Sequence, residues 1–492
     1  MAKLKTLAID LGASSGRGII GEFDGRKLSL RENHRFQNDP VKINGSLNWD
    51  ILRIFFEIKN ILRTCALSED RDIKTIGIDT WGLDFGLLGA DGRLLENPYN
   101  YRDSRTDGIN VEAYKRIGKE ELYNITGLQY LQFNTIFQLL SLALQRPHIL
   151  RNAETLLMTP DLLNYFLTGI KKTEYTIAST SSLLNAKTGN WDKSLFAPMD
   201  IPEKLFTEIV RPGNILGGLL PEITEDTGEL KAQVINAASH DTASAIAAVP
   251  AAGENFVYIS SGTWSLMGME SREPVITEKS RKYDFTNEGG VGGTIRVLRN
   301  VMGLWLIQES RRQWEREGER LSFDEMSDAA LKSPPCASLV NVDLPEFLAP
   351  GNMPERIRGY CSRTNQPVPE TKGALIRCIY DSLALTYKRT LGQINELQGV
   401  PAQKIHVVGG GTKETLLCQF TADACGVPVY AGPIEATAIG NVAVQLTALG
   451  EIKDPGEARR IIADSFETAE YTPENTNLWD DALVKYEKLL KT

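Results

Sequence analysis

Four adjacent residues near the middle of the chain, Ser239-His240-Asp241-Thr242, combine a carboxylate, an imidazole and two hydroxyls. They follow the apolar run Val234-Ile235-Asn236-Ala237-Ala238 and open a small-residue stretch, Ala243 to Ala248. A strand-to-helix junction of this kind is a good place for a general base, a carboxylate within reach of a hydroxyl proton. The same Asp, just before Thr242-Ala243-Ser244, also suits a helix N-cap. Local spacing does not separate the two roles. His240 suits either a hydrogen-bonded structural histidine or a contact to a sugar hydroxyl. His34, His148 and His406 lie apart from one another and read as structural.

A second kind of chemistry sits in small-residue turns after strands. Thr6 to Leu11 reads as a buried strand, followed by Gly12-Ala13-Ser14-Ser15-Gly16-Arg17-Gly18. Backbone N–H groups in such a turn, with the Ser14 and Ser15 hydroxyls, can hold phosphate oxygens. The strand-end carboxylate Asp10 can hold Mg²⁺ directly or through water. Ser261-Gly262-Thr263-Trp264 repeats the strand–turn–strand plan one domain later, which suggests an internally duplicated architecture. Gly409-Gly410-Gly411-Thr412 opens from a third strand, where ligands collect in α/β sheets. Gly16 to Gly21 matches GxGxxG, but it runs into a β-branched strand with a hairpin turn at Asp24-Gly25 behind it. The dinucleotide fingerprint must open a helix, so that reading is rejected. No GxxxxGK[ST], HExxH, GxSxG or protein-kinase motif set occurs. What remains is phosphoryl transfer by positioning and charge neutralisation, with a base for a hydroxyl proton.

The elements that must position these residues are those of an α/β chain. Ile51 to Leu62 and Ala374 to Leu397 have helical spacing, and Leu304, Ile307, Gln308 and Arg311 share neighbouring turns of a helix. Ile73 to Asp79 and Lys404 to Val408 read as strands, and Thr437 to Leu449 as a small-residue helix. Tyr101 to Thr106 reads equally as a helix start and as a ligand site; residues 173–235 and 333–369 read as irregular. With 492 residues, two or three domains are expected. The formal net charge of -9 disfavours nucleic acid and anionic membrane. Six scattered Cys without CxxC spacing read as buried or semi-buried thiols of a reducing cytosol. No signal-peptide pattern or bilayer-length apolar run is present, so a cytoplasmic location is expected.

Taken together, Leu7 to Gly18, Asp79-Thr80-Trp81-Gly82-Leu83-Asp84-Phe85, Tyr101 to Thr106, Ser239 to Thr242, Ser260 to Trp264, Asn300 to Leu306 and Val408 to Gly411 resemble the FGGY carbohydrate kinases. The resemblance implies two ribonuclease-H-like (actin/Hsp70-type ATPase) α/β domains with a nucleotide cleft between them. Residues 1–248 would carry the sugar site and first phosphate loop, and residues 249–492 the second phosphate loop and adenosine site. It implies that Ala13, Ser14, Ser15, Gly16, Arg17 and Thr263 contact ATP phosphates, and that Gln308 and Gly410 belong to the nucleotide site. Gly82, His240, Asp241, Thr242 and Asn300 would line the sugar site, with Asp241 as proton acceptor. The implied reaction, in L-rhamnose catabolism, is L-rhamnulose plus ATP giving L-rhamnulose 1-phosphate and ADP with Mg²⁺. Sugar and ATP would be its only partners, in a monomer or homodimer. Thr412-Lys413-Glu414 departs from the pattern that follows the glycines in relatives. The alternatives are another sugar such as L-fuculose, or a chaperone-like ATPase or non-catalytic sugar-binding protein of the same fold.

Overall fold

The computed structural model describes residues 3–251, 253 and 255–491. The chain divides into two compact units: Met1–Ala252 with Glu270–Val297 and Ala436–Ser465, and Gly253–Met269 with Leu298–Glu435 and Phe466–Thr492.

The first unit is built on a six-stranded sheet. The apolar run after Lys3 forms the strand Leu4–Leu11, with every residue from Thr6 onward buried. It pairs antiparallel with Ser15–Phe23, which pairs antiparallel with Leu28–Gln37. Its other edge pairs parallel with Thr75–Thr80, which pairs parallel with Gln233–Ile235; Ile215–Gly218 lies outermost. Alternation along a strand sends side chains to both faces of a sheet. Here Leu7, Ile9, Ile20, Ile76, Ile78 and Val234 join Ile54, Ile58 and Ile61 of the helix Ile51–Ala66 in one core. Each fully buried side chain of this kind contributes about 1.5–3 kcal/mol. The GxGxxG match lies within the strand Ser15–Phe23, in agreement with its rejection as a dinucleotide motif.

Two short helices rich in small residues, Asp241–Ala247 and Ala436–Ala448, pack in this unit. They approach so closely that a Cβ on Gly440 would lie 1.8 Å from the Ser244 carbonyl oxygen. That approach lets Asn441 reach the Gly77 carbonyl and Gln445 the Leu7 carbonyl, at 3.1 and 3.0 Å.

The second unit repeats the plan. Val257–Ser261 pairs antiparallel with Trp264–Ser271 and parallel with Ile405–Val408. Ile405–Val408 pairs parallel with Val429–Ala431, which carries the antiparallel strand Ala469–Tyr471. A hairpin beside two parallel strands and an antiparallel edge occurs in both sheets, as the duplicated turns suggested. Residues 333–369, expected to be irregular, contain the helix Met353–Arg363. Its Asn352 cap and N-terminal Pro354 were the local signals for a start.

Candidate active site

The parallel register of Leu4–Leu11 with Thr75–Thr80 sets Asp10 directly opposite Asp79. Asp10 accepts from Arg17 Nη2 at 2.5 Å, across the hairpin register that pairs the same two residues. Asp79 is fully buried, and its Oδ2 accepts from Asn441 Nδ2 at 2.6 Å. Its Oδ1 has no hydrogen-bond partner among the described residues. Burial, then the charge of Asp10, pushes the Asp79 carboxyl well above the usual carboxylate range; Asn441 opposes this and Asp241 adds to it.

The third carboxylate comes from the junction at residue 239. Thr80 donates its N–H to the Ser239 carbonyl at 2.9 Å, and Thr80 and His240 form a parallel bridge. The chain then turns into the helix Asp241–Ala247, whose N-cap is His240. Asp241 is therefore the first residue inside the helix, and its N-cap reading is not realised. Its Oδ1 accepts from the backbone N–H and the hydroxyl of Thr242, at 2.5 and 3.0 Å. The side chain is 31% exposed, and among the described residues Oδ2 has no hydrogen bond.

The Ser239-His240 backbone is held from behind. Ser239 donates to Glu174 Oε2, and His240 to Thr176 Oγ1, both at 3.1 Å. Thr176 in turn donates its hydroxyl to Glu174. Burial raises Glu174 to about 7, against the bonds it accepts from Thr176, Ile177 and Ser239. The His240 ring is buried, with Nδ1 3.0 Å from Arg296 Nη2 and Nε2 3.5 Å from Asp241 Oδ1. Gly82 follows Thr80 by two residues, and the Leu83 N–H donates to Thr180 Oγ1 at 3.2 Å. Just beyond it, Asp84 accepts from both Trp49 and Trp81 Nε1, at 2.6 and 3.0 Å, and fixes that segment. Burial raises Asp84 to about 6, against these bonds.

The first turn is shorter than the sequence suggested. Only Gly12–Ser14 leaves the sheet, closed by Gly12 N–H to the Ser15 carbonyl at 2.9 Å. Asn38 donates its side-chain amide to the Gly12 carbonyl at 2.8 Å. Ser15, Gly16 and Arg17 are strand residues, and Gly16 is a packing glycine: a Cβ there would lie 2.3 Å from the Phe36 ring. Ala13 and Ser14 are exposed. Tyr101 to Thr106 becomes a short 3₁₀ turn, Ser104–Thr106, capped by Asp103.

In the second unit, Thr263 sits in the hairpin between Val257–Ser261 and Trp264–Ser271. Its Oγ1 donates to Gln308 Oε1 at 3.1 Å, and its carbonyl accepts from Gly303 at 3.2 Å. The glycine loop packs against the same hairpin. Gly409 has φ +87, and a Cβ on Gly411 would lie 2.0 Å from Ser261 Oγ, whereas Gly410 faces open space. Glu414 turns inward to the Tyr380 hydroxyl at 2.5 Å. Asn300 lies on the strand Ile295–Met302, beside Arg299, which pairs with Asp343 at 2.9 Å.

The first unit thus brings Asp10, Arg17, His240, Asp241 and Thr242 to neighbouring strand ends, while Thr263, Gln308 and Gly410 gather in the second. Sequence reading missed Asp79, Asn441, Glu174, and Arg296 with the Glu288 carboxylate it pairs with at 2.9 Å. For Asp79 a signal was present: it ends a strand as Asp10 does. The others carry no local mark: Asn441 meets Asp79 and Arg296 meets His240 from far along the chain, and Glu174 bonds the distant Ser239 as well as its neighbours Thr176 and Ile177.

Models of the FGGY family of carbohydrate kinases match both halves, the N-terminal domain over residues 5–248 and the C-terminal domain over 257–449. A rhamnulokinase from Bacteroides thetaiotaomicron is 44% identical over 489 residues, spanning 99% of this chain and 100% of its own length. A rhamnulokinase from Oceanobacillus iheyensis is 43% identical, spanning 94% of this chain and 97% of its own. Among solved structures, a ligand-bound xylulose kinase from Lactobacillus acidophilus matches with a TM-score of 0.82 at 16% identity, over 99% of this chain and 98% of its own. Plasmodium falciparum glycerol kinase with ADP matches with a TM-score of 0.80 at 14% identity, over 100% of this chain and 98% of its own. These likenesses show the two-domain α/β fold of the sugar kinases. With both halves matched and close relatives along nearly its whole length, the chain belongs to the FGGY family of carbohydrate kinases.

Proposed function

We propose that the chain transfers the γ-phosphate of ATP to the 1-hydroxyl of L-rhamnulose, giving L-rhamnulose 1-phosphate and ADP, with Asp241 as the general base. The substrate rests on the relatives named rhamnulokinase, 41% to 44% identical over nearly full length. The base rests on one observation: Asp241 stands at a strand-to-helix junction with Oδ1 engaged by Thr242 and Oδ2 without a hydrogen bond among the described residues. That leaves one carboxylate oxygen to accept the hydroxyl proton as the sugar oxygen attacks phosphorus.

In this reading Gly82, His240, Thr242 and Asn300 orient the sugar. Ala13, Ser14, Ser15, Gly16, Arg17 and Thr263 contact the ATP phosphates, with N–H groups supplied by the Gly12–Ser14 turn that leaves the sheet, and Gln308 and Gly410 belong to the nucleotide site. The unpartnered, buried Oδ1 of Asp79 beside Asp10 suits a hard cation that prefers oxygen donors. Asp10, directly or through water, and Asp79 would hold the Mg²⁺ that accompanies ATP, and that ion would supply charge neutralisation at the phosphates.

The test is ADP release over a ketose panel with L-rhamnulose and L-fuculose side by side. The expected result is the highest kcat/KM with L-rhamnulose. An equal or higher value with L-fuculose overturns the substrate while leaving the kinase reading intact.

A further inference from the structure

Behind the proposed base lies a buried ion pair that the phosphoryl-transfer chemistry does not itself require. Arg296 is fully buried. Its Nε donates to the Gly289 carbonyl at 2.8 Å, and its Nη2 lies 2.9 Å from Glu288 Oε2 and 3.0 Å from His240 Nδ1. Its Nη1 has no hydrogen-bond partner among the described residues. A buried ion pair is weak evidence for stability, and an orphaned buried donor costs free energy, so the arrangement calls for another explanation.

We propose that Arg296 is a positioning residue that sets the tautomer of His240, an inference that rests on the reading of Asp241 as the base. A guanidinium has five N–H donors and no acceptor. Facing it at 3.0 Å, Nδ1 of His240 must present its lone pair, so the ring carries its proton on Nε2. Nε2 is the nitrogen turned toward Asp241, 3.5 Å from Oδ1. The N–H there faces Oδ1 and leaves Oδ2 as the accepting oxygen. The backbone bond from His240 to Thr176 fixes the other end of the residue, so the ring direction is set from both sides.

The pair contains its own alternative state. Glu288 Oε2 lies 3.4 Å from the same Nδ1. Burial works to raise this carboxyl, but the charge of Arg296 leads the effects that hold Glu288 below the usual range. With Arg296 in place, Glu288 accepts from the guanidinium. Without Arg296, Glu288 is the acceptor left beside Nδ1, and Nδ1 takes the proton. In the tautomer with one proton, a bare Nε2 lone pair would then face the Asp241 carboxylate.

The experiment is ¹⁵N NMR of the whole protein labelled at histidine, with His240 assigned by comparison with His240→Gln. The wild type is expected to show an unprotonated Nδ1 and a protonated Nε2. Arg296→Met is expected to show a protonated Nδ1 and to lose about 10²-fold in kcat, as for a misaligned catalytic group, with KM for ATP unchanged. Arg296→Lys keeps a donor without an acceptor, so it is expected to restore the bare Nδ1 and part of kcat. A wild-type ring protonated at Nδ1 overturns the proposal without recourse to any Arg296 variant, even if Arg296→Met fails to fold. An unchanged tautomer and kcat in a folded Arg296→Met also overturns it. Because the spectra need no substrate, they stand apart from the base assignment, which fails separately if Asp241→Asn turns over normally.

Discussion

Asp241 and Asp79 show how burial sorts carboxylates of one type into different environments. Asp241 is part-exposed and leaves one oxygen without a hydrogen bond among the described residues; Asp79 is sealed beneath Asn441 and beside Asp10. Asp241→Asn removes the proposed proton acceptor and changes little else in shape. Its kcat is expected to fall about 10²–10⁴-fold while ATP binding, measured by calorimetry, is retained. Loss of ATP binding together with turnover would instead point to a collapsed site. Both residues were legible as strand-end Asp in the sequence, but the deep burial that separates them was not. Whether a strand end is sealed depends on which helix packs over it, here Ala436–Ala448.

At the scale of elements, the site hangs on a strand-to-helix junction braced by a buried carboxyl and on one close helix contact. Glu174 has an ordinary pKa of 4.5 and is raised to about 7 by burial. Between those values the folded chain keeps a proton that the unfolded chain releases. The stability from that proton is full below 4.5 and is lost as pH rises through 7, about 3 kcal/mol in all. Between pH 4.5 and pH 8, the wild type is therefore expected to lose about 3 kcal/mol more than Glu174→Gln in urea unfolding; parallel curves would refute the raised value. Gly440→Ala tests the helix contact. The added methyl meets the Ser244 carbonyl, which is backbone and cannot rotate away. A loss of about 1–3 kcal/mol is expected from overpacking, with a drop in kcat because the displaced helix begins at Asp241. Unchanged stability would mean that the helices separate at no cost. Helical spacing showed the small-residue stretch as a helix, but not which neighbour its glycine met.

At the scale of the molecule, two sheets of one plan each carry a turn after a strand, and the two halves match the two FGGY domain models. Among the described residues all six cysteines are free and no helix is long and apolar enough to cross a membrane. Ligands that bind only the folded chain must stabilise it. ATP at about 100 times its Kd is expected to add about 3 kcal/mol, read in urea unfolding, and Asp241→Asn should keep that gain. If ATP gives no gain in the wild type, the nucleotide assignment fails. What the sequence by itself determined was local: strands from apolar runs, turns from Gly and Ser, a carboxylate at a strand end, and a motif order that resembled the family. Only the tertiary structure decided the contacts that tune those groups. Asn441 lies 362 residues from Asp79, Arg296 lies 56 from His240, and Glu174 lies 65 from Ser239. Periodicity and spacing report what neighbours along the chain can do, whereas a buried hydrogen bond is fixed by which surfaces pack, and that is settled only when the whole core closes.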